Sequence, residues 1–123
     1  MAAAATDFLL EVFEEDGTIQ PDRLSERLHI NKAQLAIAVG LSKDAVTKQN
    51  RLHAPKTQAR LRDVIEILNR VQGWAGSKEA AFAWYRSSPI PSFGDMTAED
   101  LVKQGRAEVV KRYISRIAAG GYA

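Results

Sequence analysis

Cysteine is absent from this 123-residue sequence. Its absence excludes disulfides, thiolate metal sites and cysteine nucleophiles. Long apolar runs are also missing, since none approaches the roughly 20 residues that span a bilayer. The acidic N-terminal stretch lacks the positively charged leading region of a secretion signal. We therefore expect a soluble, cytoplasmic protein that does not bind membranes.

Signals for catalysis are equally scarce. The two histidines, His29 and His53, are isolated in the sequence and show no spacing typical of a metal site. No glycine-rich phosphate loop is present, because Gly73 and Gly76 flank a tryptophan and follow no strand. We expect a protein that is not an enzyme and that uses no metal and no cofactor.

The charges are distributed unevenly along the chain. Residues 1–30 carry two basic and seven acidic side chains, residues 31–72 carry eight and three, and residues 73–123 carry seven and five. A basic central segment is typical of a protein that contacts phosphate. Charged residues also simply solvate helices, so the charge pattern alone leaves both interpretations open.

Apolar residues recur three or four apart with almost no strand-like alternation, which predicts an all-α fold. Helices are expected near residues 7–14, 21–28, 32–39, 43–51, 56–72, 78–85, 98–104 and 106–119. This pattern indicates three parts: an N-terminal helix or arm (1–16), a helix-turn-helix domain (17–72) and a C-terminal helical domain (73–123). Trp74 and Trp84 are expected in the core of the last part.

The stretch LAIAVGLSKDAV, residues 35–46, predicts a helix-turn-helix. Ala36 is small where two helices must approach, and Gly40 supplies the positive φ of a tight turn. Ser42 is placed to cap the second helix, and Val46 is placed to pack back on the first. One position does not fit, because Gln49 stands where an apolar residue is usual.

In a DNA-binding protein the second of these helices would enter the major groove. Its outer residues would contact bases and phosphates, and they are Ser42, Lys43, Asp44, Thr47, Lys48, Gln49 and Arg51. The alternative is an ordinary helical hairpin in a bundle. Binding to a palindromic site with a steep salt dependence would distinguish the two interpretations.

The C-terminal stretch combines a helix, a Pro/Gly loop, a short capped helix, a glycine stop and a closing helix. In this order it resembles the Xre/MbcA/ParS-type antitoxins, whose partner toxins carry a RES domain. The resemblance covers residues 17–123. The matching positions are Trp84, Pro89, Phe93-Gly94, Asp100-Leu101-Val102, Gly105 and the Ala-Gly-Gly end of the final helix. Asp95 and Ala98 depart from the pattern, which commonly has glycine and proline there.

The resemblance implies an antitoxin that binds a RES-domain toxin and blocks its NAD site with the C-terminal region. It also implies a homodimer within a larger complex that represses its own operon by binding operator DNA. The implied toxin-binding residues are Arg112, Tyr113, Arg116, Ala119, Gly120, Gly121 and Tyr122. For Tyr113 the alternative role is core packing, and for the last residues it is a frayed terminus.

Two further classes remain open. The chain could be a dimeric transcriptional regulator without a toxin partner, or a helical adaptor whose helix-turn-helix is purely structural. Removal of residues 120–123 should abolish function in an antitoxin, whereas a dimerisation domain should tolerate it.

Overall fold

The described part of the chain is mainly helical. The structure is a computed structural model that describes residues 11–118 and residue 120. Its α-helices are α1 (Pro21–Arg27), α2 (Lys32–Val39), α3 (Lys43–Thr47), α4 (Gln49–Leu52), α5 (Pro55–Ala75), α6 (Lys78–Ser87), α7 (Ala98–Lys103) and α8 (Ala107–Ala118), with a 3-10 turn at Pro91–Phe93. Within these residues there is no β-strand, only the isolated bridges Phe13–Ile19 and Ile90–Met96. The all-α prediction is confirmed.

Several helices begin where local sequence signals predict. The side chains of Ser42, Ser77 and Thr97 each accept a hydrogen bond from a backbone amide in the first turn of the helix that follows. Thr97 forms a reciprocal capping box with Asp100. These bonds satisfy amides that have no partner within the helix. None of the helices in the described ranges combines the length and the apolar character needed to cross a bilayer.

Helix α5 is longer than the sequence predicts. It runs through Gly73 to Ala75 and is capped by Gly76, whose φ is 100°. A glycine inside a helix costs only about 1 kcal/mol, which tertiary packing readily offsets. The prediction that Trp74 lies in the core is wrong, because this residue is 44% exposed. It contacts the half-buried Trp84 edge-on, with 5.6 Å between the ring centroids.

The predicted apolar stripe of α5 forms the centre of the core. Leu61, Val64, Ile65, Leu68 and Val71 are all buried, and α5 contacts α2, α4, α6 and α8. One continuous cluster of buried side chains includes residues from both sides of the predicted domain boundary between residues 72 and 73. The N-terminal and C-terminal parts of the described chain therefore share a single core.

A buried hydrogen bond also joins the two parts. The Tyr85 hydroxyl on α6 donates to the Ala38 carbonyl on α2 at 2.7 Å, and the tyrosine is fully buried. Burial raises the pKa of the Tyr85 hydroxyl well above its usual value, and the nearby Glu99 carboxylate adds to the increase. The hydroxyl is thus neutral and remains a donor.

Candidate functional site

The turn between α2 and α3 has the geometry that its sequence predicts. Gly40 ends α2 with a φ of 71°, in the left-handed region that favours glycine. Ala36 is 3% exposed and Val46 is 1% exposed. The Ser42 hydroxyl accepts a hydrogen bond from the Ala45 amide at 3.2 Å. The two helices are therefore held close together and at a fixed angle by local contacts.

Gly40 is also surrounded by groups from two other elements. A Cβ atom at this position would lie 2.9 Å from Nη1 of Arg60, 2.9 Å from Cγ of Lys103 and 3.1 Å from Cα of Lys103. The Arg60 guanidinium donates to the Val39 carbonyl at 2.8 Å. The turn is thus supported by α5 and by α7, a helix of the C-terminal part of the chain. Arg60 and Lys103 cannot be predicted from the sequence as supports of this turn, because no local signal indicates a contact over such a separation.

The predicted single helix at 43–51 is wrong. Lys48 adopts an extended conformation, with φ −83° and ψ 127°, and separates α3 from α4. In one unbroken helix, Val46 and Leu52 would point about 120° apart. The break allows both to be buried, and it leaves Gln49 exposed. The polar residue at the unexpected position is therefore explained, because this position does not face the core.

The predicted DNA-contacting residues are available at the surface. Thr47 is half-buried, and its hydroxyl donates to the Lys43 carbonyl at 2.8 Å. The others are exposed, and they are Ser42, Lys43, Asp44, Lys48, Gln49 and Arg51. The break at Lys48 divides them between α3 and α4, so they do not form one continuous helical face.

The basic segment at residues 43–62 is unusual in its lack of ion pairs. It contains one carboxylate, Asp44, and six cations, namely Lys43, Lys48, Arg51, Lys56, Arg60 and Arg62. Within residues 11–118 none of these six cations lies within 4.0 Å of a carboxylate, whereas seven of the eleven other cations do. Unpaired surface cations leave a positive potential that attracts phosphate.

The final helix presents two of its predicted site residues to solvent. Arg112 and Arg116 are exposed, whereas Tyr113 is only 7% exposed and its ring packs edge-on against Phe93 with 6.5 Å between centroids. Core packing is thus the role that the Tyr113 contacts show. Gly120 is exposed, with a φ of 95°. Ala119, Gly121 and Tyr122 lie outside the described residues.

A half-buried lysine fixes α8 on α5. Nζ of Lys111 lies 2.8 Å from Asp63, 3.0 Å from Glu66 and 3.1 Å from Glu108. Burial by itself lowers the pKa of Lys111, but the hydrogen bonds to the three carboxylates outweigh it and raise the pKa above its usual value. The exposed face of α8 is therefore held in a defined orientation.

Among the described residues, each histidine contacts an oxygen of a neighbouring residue. Nε2 of His29 lies 3.2 Å from the Glu79 carboxylate, and Nδ1 of His53 lies 2.9 Å from the Gln49 carbonyl. Over the described ranges, no three His, Cys, Asp or Glu side chains are grouped as metal ligands would be.

Comparison with protein-family models, with curated proteins and with solved structures finds no match for this chain.

Proposed function

We propose that this protein is an antitoxin with two binding surfaces. The first is the α2–α3 helix-turn-helix with the adjacent α4, which binds operator DNA. The second is the exposed side of α8 with the C-terminal tail, which covers the NAD site of a RES-domain toxin. Inhibition is steric, and the complex, built on an antitoxin homodimer, represses its own operon from the cytoplasm.

The DNA-binding part of this proposal rests on the basic segment at residues 43–62, which adjoins the glycine turn. Small and apolar contacts at Ala36 and Val46 hold the two helices together, while Lys43, Lys48 and Arg51 remain exposed without ion pairs among the described residues. Such cations neutralise DNA phosphates and release counterions. Gln49 is exposed and carries an amide that can pair with adenine.

The toxin-binding part of the proposal is supported by the resemblance to the antitoxins and by the exposed side of α8. Arg112 and Arg116 lie four residues apart and both reach solvent. Lys111 holds the helix on the other side. Guanidinium groups in such positions can pair with carboxylates or carbonyls at the mouth of a nucleotide site.

Co-expression tests the antitoxin half. The full chain and a form ending at Ala119 are each produced with the RES-domain protein encoded beside this gene, and cellular NAD and growth are followed. We expect the full chain to preserve NAD and the truncated form to fail. Rescue by both forms would move the contact onto the exposed side of α8. Failure of both forms, at equal protein levels, would contradict the antitoxin function and leave a dimeric regulator.

Salt-dependent binding tests the DNA half. Binding of the protein to the promoter region upstream of its gene is measured between about 50 and 200 mM salt. Replacing Lys43 by Met should reduce the slope of log K against log salt by about one. The control is Lys78→Met, because Lys78 already pairs with Glu79 on α6. Equal slopes for all three proteins would refute a phosphate contact at Lys43.

A further inference from the structure

A shallow groove lies beside the final helix, between α8 and the 3-10 turn. We call it the Phe93 groove, and its lining residues are Phe93, Val109, Arg112, Ser115 and Arg116. Its volume is about 370 Å³. Phe93 and Val109 are half-buried and supply an apolar floor. The ring of Phe93 is supported from below by the buried Tyr113.

Three arginines surround this floor. The Arg106 guanidinium lies 6.0 Å from the centroid of the Phe93 ring, and that of Arg116 lies 6.0 Å from the Tyr113 ring. Arg112 lines the groove directly. All three are exposed, and none pairs with a carboxylate of residues 11–118.

The nearest acidic residue on the same helix does not neutralise them. Glu108 precedes Arg112 by four residues, a spacing that usually favours an ion pair. Its carboxylate instead contacts Lys111 at 3.1 Å. The Phe93 groove therefore combines an apolar floor with a cationic rim whose charge is not compensated by its own helix.

We infer that the Phe93 groove binds an acidic segment of a partner protein, with an apolar side chain against Phe93 and carboxylates on Arg112 and Arg116. Arginine pairs with carboxylates through two parallel hydrogen bonds. An apolar side chain gains free energy by covering Phe93 and Val109, whereas a phosphate chain does not. An aromatic floor with flanking arginines is typical of the residues that dominate protein interfaces.

This inference rests on the proposed function in one respect, because it assigns the acidic segment to the toxin. It extends the toxin-binding surface from α8 onto residues 91–93, which are not among the toxin-binding residues that the resemblance implies. In this extended surface Phe93 belongs to the apolar floor, and Arg106 belongs to the cationic rim.

Two measurements test the inference with the full chain. The first is the affinity for the purified RES-domain protein, compared among the unmodified chain, R112E and R112K. R112E should weaken binding by about ten-fold or more, and R112K should recover part of it by restoring the charge. The control is R23E, which reverses an exposed arginine on α1 that lies outside both the groove and the basic segment and pairs with no carboxylate of residues 11–118. Far-UV circular dichroism confirms that each variant is folded.

The second measurement does not depend on the toxin. A phage-displayed library of random 12-residue peptides is selected on the unmodified protein and on R112E. We expect peptides with acidic residues beside an aromatic or leucine, enriched by the unmodified protein and lost with R112E. Absence of such peptides would overturn the inference even if the toxin binds.

The two measurements separate the two hypotheses. Failure of the toxin to bind the unmodified protein, with acidic peptides still selected, would refute the proposed function and retain the groove. Equal toxin affinity for R112E and R23E would refute the groove and retain the proposed function. A third measurement is the binding of a random-sequence 20-base-pair duplex. Weaker duplex binding by R112E but not by R23E would assign the arginines to nucleic acid and contradict the inference.

Discussion

Replacing Gly40 by alanine tests how the turn is supported. The backbone of Gly40 is in the left-handed region, with a φ of 71°. This conformation costs about 1–2 kcal/mol for a residue other than glycine. The new Cβ would also lie 3.1 Å from Cα of Lys103 and 2.9 Å from Nη1 of Arg60. Overlap of this kind costs about a further 1–3 kcal/mol, since the backbone of α7 must move. The sum is about 2–5 kcal/mol.

Gly94 provides a matched control. Its φ is 66°, close to that of Gly40, but a Cβ at this position meets no atom within 4 Å. Gly94→Ala should therefore cost only the conformational part, about 1–2 kcal/mol. The difference between the two variants isolates the contact of the turn with α5 and α7.

Urea unfolding, followed by circular dichroism, measures this difference. For a domain of this size a slope of about 1.5 kcal/mol per M is typical, so Gly40→Ala should lower the midpoint by about 1–3 M and Gly94→Ala by about 1 M. Equal midpoints for the two variants would refute the reasoning, because the close approach of Lys103 and Arg60 would then carry no energetic weight.

Three further changes test other contacts. Tyr85→Phe should lower the free energy of unfolding by about 1–2 kcal/mol, because the buried Ala38 carbonyl loses its donor; an unchanged urea midpoint would contradict this. Thr97→Ala should cost about 1 kcal/mol by removing the cap of α7, measured against Ser92→Ala at a position that caps no helix. The pKa of Lys111 is higher in the folded state than in the unfolded state. The contribution of Lys111 to the free energy of unfolding is therefore complete below about pH 10.4, and it is lost as the pH rises through the folded-state pKa. Lys111→Met should therefore make unfolding less dependent on pH above 10.4, and curves that stay parallel would argue against the carboxylate contacts.

Local signals in the sequence predict most of the helices. Pro21, Ser42, Ser77 and Thr97 each mark a helix start that the structure contains, because capping depends on residues within one turn. The positive φ of Gly40 is predictable for the same reason. The apolar stripe of α5 follows from its periodicity, since a buried helix face repeats every three or four residues.

The candidate sites are harder to predict from local sequence signals. The sequence indicates Arg112 and Arg116 on the final helix, but only the fold brings Phe93 beside them. The break at Lys48 is decided by the burial of both Val46 and Leu52, which one continuous helix does not permit. The exposure of Trp74 likewise depends on how much of the core the other helices already fill.

Sequence alone determined the helical class, the caps and the glycine turn, because these arise from interactions over a few residues. Tertiary structure alone decided that the turn rests on Arg60 and Lys103 and that Tyr85 joins α6 to α2. It also decided that Lys111 on α8 contacts Asp63 and Glu66 on α5. Such contacts join residues far apart in the chain. They depend on the relative placement of whole helices, which is set by the shared core and by no local pattern.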